Sequence, residues 1–356
     1  MAYNRINKYN LLYIKAIAVI LMVALHTFAF PERIKGTGFK SFLIINNLPI
    51  EYYLFKAGGI CVGIFTFLSG YGIYIKYGSE FSIKNICNRL RKFFVNYWII
   101  FIIFIGIGIL KGVYSFNLIK LSSGLIGNAD VYNAEWWYIR LYTMLIIMYP
   151  IIVNIINKVN YKIILFISFT VNILGMIFTK LGYIIGINSF IYNNISILLG
   201  GQFLFILGII VCKNKLFEKY DQKLKLTHNK GLYGCIILFF IMAIINFIPI
   251  LGEVLKILIT PVFILFLTSI NFKSKLLFII GKHSTNIWLI HSFFCYYLFQ
   301  DIAFYPKWSL LVLLWIIILC ILCSIIINKI KKILLIFKKP FDAIKLTYIN
   351  NISQNI

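Results

Sequence analysis

Apolar stretches of about 20 residues return along the whole length of this 356-residue chain. Few charges interrupt them, and that recurrence constrains the fold more than any single motif. In lipid every backbone N–H and C=O must be satisfied within the structure, so only helices or a closed barrel can cross. Barrel strands alternate over about 10 residues, whereas these stretches are longer and uniformly apolar. The fold class that follows is all-α: a polytopic transmembrane helix bundle. Ten spans are expected, near 11–30, 52–75, 93–110, 136–157, 161–178, 191–211, 232–249, 254–270, 278–299 and 308–328. Composition agrees, with 61% hydrophobic and 13% charged residues, where a soluble domain carries about 25% charged.

The net charge of +25 raises the question of a nucleic-acid partner. The placement of the charges argues against one. With the N-terminus inside, about 24 of the Lys and Arg fall on the inner side and about 8 on the outer. Such a bias is a topology signal, and it sets both termini in the cytoplasm. The loop at 213–230 and the basic tail at 329–356 hold much of it. Both read as positive-inside anchors, and the tail can also lie on an anionic leaflet. The expected partners therefore include membrane lipids and no nucleic acid.

Seven cysteines, mostly inside spans, form no disulfide framework. Cys320 and Cys323 make a CxxC within an apolar helix, which reads as packing. Four scattered histidines give no metal-ligand spacing, so no metal is expected. The first span lacks a small-residue cleavage site and reads as retained. No linker, clean internal repeat or soluble segment divides the chain, which reads as one membrane domain over residues 1–356. The longer outer loops are 31–51 and 111–135.

Within the first span, "KAIAVILMVALH" (15–26) carries a cation near one end and an imidazole further in. Their separation amounts to three helical turns plus about 20°, and about 16 Å along the axis. Lys15 and His26 therefore share one face, near the inner boundary and about two-thirds of the way across. Two readings stand. Lys15 can snorkel to the headgroups, and His26 can bond a neighbouring helix. Alternatively, costly ionisable groups in a span mark function, and an imidazole in a semi-dry site is a natural general base.

Further polar groups punctuate other spans. "FTFLSGYG" (65–72) places Ser69 and Gly70 in the inner half of the second span, and "RLRK" clusters Arg89, Arg91 and Lys92 at the inner edge. That cluster suits either a topological anchor or a seat for phosphates. "NAEWWYIRLYT" (133–143) sets Glu135 and Arg140 around Trp136 and Trp137 near the outer face. The run suits a sugar contact or an interfacial belt with an ion pair. "GKHSTNIWLIH" (281–291) puts His291 inside the ninth span and His283 at its inner mouth.

In this order the segments resemble the membrane-bound acyltransferase family 3, the integral-membrane O-acyltransferases that modify sugars and other acceptors. Lys15 and His26 match the family's first-span basic residue, ten residues, then histidine. "FTFLSG", "RLRK" and "GKHSTNIWLIH" match its later elements, and the likeness runs from the first span to the ninth. The resemblance implies an acyl group, usually acetyl, carried on coenzyme A in the cytoplasm. Arg89, Arg91 and Lys92, with Lys15, would hold the nucleotide end of acetyl-CoA. His26 would act as base or as acyl carrier, with His291 and Ser69 assisting and Glu135 and Trp136 as acceptor contacts. The implied acceptor is a cell-surface polysaccharide or its lipid-linked precursor. The alternative from another class is a transporter or flippase exporting such a precursor. Against that stand the missing repeats and broken-helix pairs.

Overall fold

The structure is a computed structural model that describes residues 8–353 apart from 37, 129–130, 188 and 249–250, with side chains from 9 to 334. The tail charges beyond 334 lie outside that range. The described residues are mainly helical, with a two-stranded ribbon, β1 (Ile44–Ile45) paired antiparallel with β2 (Leu48–Pro49).

Helix α1 (Lys8–Phe28) leads through a 3-10 turn (Pro31–Arg33) and the ribbon to α2 (Ile50–Phe55). A 3-10 segment (Lys56–Gly59) joins α2 to α3 (Ile60–Tyr77). There follow α4 (Ile83–Leu110), the short α5 (Leu118–Leu125), α6 (Tyr138–Lys158), α7 (Tyr161–Ile185) and α8 (Phe190–Lys213). After α9 (Leu216–Leu224) come α10 (His228–Ile245), α11 (Leu251–Ser269), α12 (Lys275–Ser292), the small α13 (Gln300–Phe304) and α14 (Ser309–Ser353).

Nine helical stretches among the described residues are long and apolar enough to cross a membrane. The expected span at 278–299 is not among them. Its helix, α12, with the π turn Phe293–Tyr297 that extends it, matches the others in length. Its composition is the difference: Ser284, Asn286, His291 and Ser292 are all buried. A helix wrapped by other helices can carry polar groups that a lipid-facing one cannot. A second difference lies at α4, which begins at Ile83 instead of near 93. Ser82 caps it by accepting a hydrogen bond from Asn85 N. Arg89, Arg91 and Lys92 thus sit on the helix itself.

Small residues let the central helices touch. A Cβ at Gly70 would lie 2.0 Å from Phe205 O, and one at Gly208 would lie 2.2 Å from Phe67 O. The backbones of α3 and α8 therefore interlock through both glycines. A Cβ at Gly281 would lie 2.1 Å from Leu12 O, which clamps α12 onto α1. Buried polar groups add a further tie: Ser324 of α14 bonds both His283 and Asn286 of α12, and Asn286 bonds Asn96 of α4.

Side chains pack into three apolar clusters. One joins α1, α4, α12 and α14. A second joins α1, α3, α8, α10 and α11, and a third joins α3, α6 and α8. Phe65 packs against all three. The site lies at the seam around it. Lys331 of α14 donates to Lys92 O, which brings the basic ends of α4 and α14 together at one end of the bundle.

Candidate active site

Two cavities are stacked along the seam. The lower one, at the basic end, has a volume of about 360 Å³. Leu11 and Lys15 of α1, Ser69 and Gly72 of α3, Arg89 of α4 and Ser284 of α12 line it. The upper one, about 220 Å³, is lined by His26 of α1, Val62 of α3, Glu135, Trp137 and His291. Phe65, Tyr138 and Trp288 line both. These three rings form the partition, with Trp288 set edge-to-face on Tyr138 at 5.5 Å.

Helical periodicity explains the stacking. On α1, residues 11, 15, 22 and 26 fall within about 60° of one another, so one face feeds both floors. On α12, residues 284, 288 and 291 repeat every turn, and on α3 residues 62, 65, 69 and 72 do the same. Lys15 and His26 thus face a common vertical space, one on each floor.

On the upper floor, His26 Nδ1 lies 3.1 Å from the Tyr296 hydroxyl. The rings of His26 and His291 are 4.9 Å apart. His291 is fully buried, and its Nδ1 lies 2.7 Å from Trp288 O. A backbone carbonyl only accepts, so Nδ1 carries the proton and Nε2 is left as an acceptor. That Nε2 has no partner among the described residues. An orphaned buried nitrogen at the wall of a cavity is a place for a ligand group to bond.

Glu135 closes the far wall. Arg33 donates to its Oε1 at 2.7 Å and Tyr297 to its Oε2 at 2.9 Å. Arg33 also lies over the Tyr296 ring, 3.5 Å from its centroid. Partial burial works against the charge of Arg33, but the bond and charge of Glu135 more than reverse this and raise the guanidinium above its ordinary value. The ion pair holds the two tyrosines: Arg33 donates to the Tyr297 hydroxyl and lies over the Tyr296 ring, and Glu135 accepts from Tyr297. Both tyrosines sit on the π turn, closed by Leu298 N donating to Phe293 O. The extra residue per turn aims Tyr296 at His26 and Tyr297 at Glu135, as π turns at functional sites commonly re-aim side chains.

The structure brings Lys15, Ser69 and Arg89 together on the lower floor, and His26, His291 and Glu135 on the upper. Four expected residues stand elsewhere. Arg91 and Lys92 are exposed and line neither cavity. Arg89 faces inward and donates to the Tyr142 hydroxyl at 2.9 Å, and two residues of helix turn Arg91 by about 200°. Gly70 faces α8, where its role is close packing. Trp136 is fully buried, donates to Leu289 O and packs edge-to-face on Phe293; its neighbour Trp137 faces the cavity instead. Tyr296, Tyr297, Arg33 and Trp288 were missed by sequence reasoning. Only the late motif's tryptophan carried a signal, and the π turn has none that periodicity can show.

The sequence model of the family described as an acyltransferase domain matches residues 8–329. The chain belongs to acyltransferase family 3. No curated protein and no solved structure matches it. The acyltransferase is a multi-pass membrane protein in which that match takes in every residue lining the two cavities.

Proposed function

We propose that this acyltransferase moves an acetyl group from acetyl-CoA to a hydroxyl of a cell-surface glycan or its lipid-linked precursor, in the cell membrane. The observation that carries the reading is the stacked pair of cavities, cationic on one floor and imidazole-lined on the other. Arg89 and Lys15 take the anionic nucleotide end at the cytoplasmic face. The pantetheine arm passes the Phe65, Tyr138 and Trp288 partition and delivers the thioester beside His26.

The chemistry then balances within the upper floor. In the tautomer that this step requires, His26 Nδ1–H donates to the Tyr296 hydroxyl oxygen, which leaves Nε2 free to take the acceptor's hydroxyl proton. The acceptor oxygen forms its bond to the acyl carbon, and the C–S bond breaks. The imidazolium returns the proton to the leaving thiolate. The apolar partition keeps bulk water from the thioester.

The test is label transfer in membranes supplied with [14C]acetyl-CoA. His26→Ala, confirmed as folded, is expected to lower transfer by about 100-fold or more while acetyl-CoA still binds. Transfer that persists at wild-type rate, or a wild type that binds no acetyl-CoA, would overturn the proposal.

A further inference from the structure

A third cavity opens beside the upper floor, between the outer halves of α7, α8 and α11, with α3 as its floor. Its volume is about 460 Å³, inside the roughly 300–1,000 Å³ range of small-ligand sites. It touches the His26 cavity along Gly59, Val62 and Trp137, which line both. It shares no lining residue with the lower floor around Arg89 and Lys15.

Each wall shows one face of its helix. Residues 172, 176, 179 and 180 of α7, 196, 197, 200, 201 and 204 of α8, and 253, 256, 257 and 260 of α11 are spaced as turns of a helix face. Two polar side chains on these walls are unsatisfied. Asn172 is 2% exposed; its amide donates to Gly200 O, but its Oδ1 has no partner among the described residues. Ser196 is 3% exposed, and its Oγ likewise has none. Buried polar atoms without partners are rare. Both residues line one cavity, with the carbonyl oxygen and the hydroxyl just behind its surface, where a side-chain rotation offers them to a ligand that brings hydroxyl groups of its own. At the rim stand Lys180 and the Lys256–Glu253 ion pair, and Trp137 offers an indole at the passage to His26.

We infer that this cavity is the acceptor site, and that it holds a sugar unit whose reacting hydroxyl reaches His26 past Gly59. This deepens the proposed function and rests on it. Donor and acceptor then arrive through separate spaces that meet only at the upper floor. The acceptor oxygen approaches from the α7–α8–α11 side, and the thioester from the basic end.

Gly59 makes the passage testable. A Cβ there meets only Lys256 Nζ, at 3.6 Å, an ordinary contact with the end of a flexible side chain, so the first atom of a larger residue strikes no backbone. The probe is the water-soluble glycan released from envelopes of a strain lacking this chain, titrated against membranes holding the full-length protein and [14C]acetyl-CoA. Ser196→Ala and Asn172→Ala are expected to raise the KM for the glycan by about three- to tenfold each, the value of one hydrogen bond. The KM for acetyl-CoA stays within about twofold, since neither residue touches the lower floor. Gly59→Leu is expected to cut transfer by more than about tenfold while acetyl-CoA binding persists. A glycan KM unchanged in both Ser196→Ala and Asn172→Ala would overturn the inference, as would an acetyl-CoA KM that rises in step with it. A wild type that binds no acetyl-CoA and incorporates no label would overturn the donor reading instead, so the two failures are told apart. Ser196→Ala, which removes no existing bond, decides the matter if Asn172→Ala fails to fold.

Discussion

At the residue scale the site turns on which nitrogen of each imidazole is free. His291 has its Nδ1 fixed by Trp288 O, and His26 has its Nδ1 at the Tyr296 hydroxyl. In metal sites, a partner that orients a histidine and sets its tautomer is worth about 10- to 100-fold. Tyr296→Phe is therefore expected to lower kcat for transfer about tenfold with the KM for acetyl-CoA unchanged; steady-state kinetics in membranes measure this. The basic cluster divides just as sharply. Arg89 lines the lower cavity, whereas Arg91 and Lys92 are exposed. Arg89→Ala is expected to raise the KM for acetyl-CoA by about tenfold or more, as for loss of a charge-assisted bond. Arg91→Ala should change it less than about threefold, and only at low salt, where exposed charge steers an anion. The residue types of this cluster were readable in the sequence, but their division was not, because four neighbouring charges look alike until the helix phase is known. His26 and Lys15 were legible because they lie on one helix, where spacing alone sets the angle.

At the element scale the glycines carry the argument. The "GKHSTNIWLIH" segment opens with Gly281, and the structure gives that glycine a reason: Leu12 O occupies the place of a side chain. Without that contact α12 would stand off from α1, and His291 would leave His26. Gly281→Leu is expected to destabilise the fold by about 1–3 kcal/mol or more, as overpacking does, and to lower the thermal midpoint of detergent-solubilised protein. Gly72→Leu is the comparison: nothing lies within 4 Å of a Cβ there, so the midpoint should stay, although the substitution narrows the lower cavity. The nine membrane-length helices among the described residues were visible as apolar runs. The boundary of α4 was not, since its first turns are polar and continue the helix beyond the membrane-like stretch. The π turn at Phe293–Tyr297 was also invisible, because its residues are engaged with distant segments, Tyr296 with His26 of α1 and Phe293 and Tyr297 with Trp136 and Glu135.

At the scale of the whole molecule, three clusters meet at one seam and leave space there instead of closing it. The charge bias predicts that the end holding Arg89 faces the cytoplasm. Cys87 is the exposed cysteine at that end, while Cys295 and Cys320 are buried. A membrane-impermeant maleimide should therefore label Cys87 in inside-out vesicles and leave it unlabelled in intact cells; the reverse pattern would invert the topology. By itself the sequence determined the membrane class, the bundle of helices, the shared face of Lys15 and His26 and the likeness to a family. Each of these depends on spacing within one helix or on hydrophobicity summed over a span. Only the tertiary structure decided that His291 meets His26, that Arg33 and Glu135 lock two tyrosines from a π turn, and that Trp137, not Trp136, faces the cavity. Those contacts join segments far apart in the chain. They depend on how closely backbones approach, which a linear pattern of side chains does not encode.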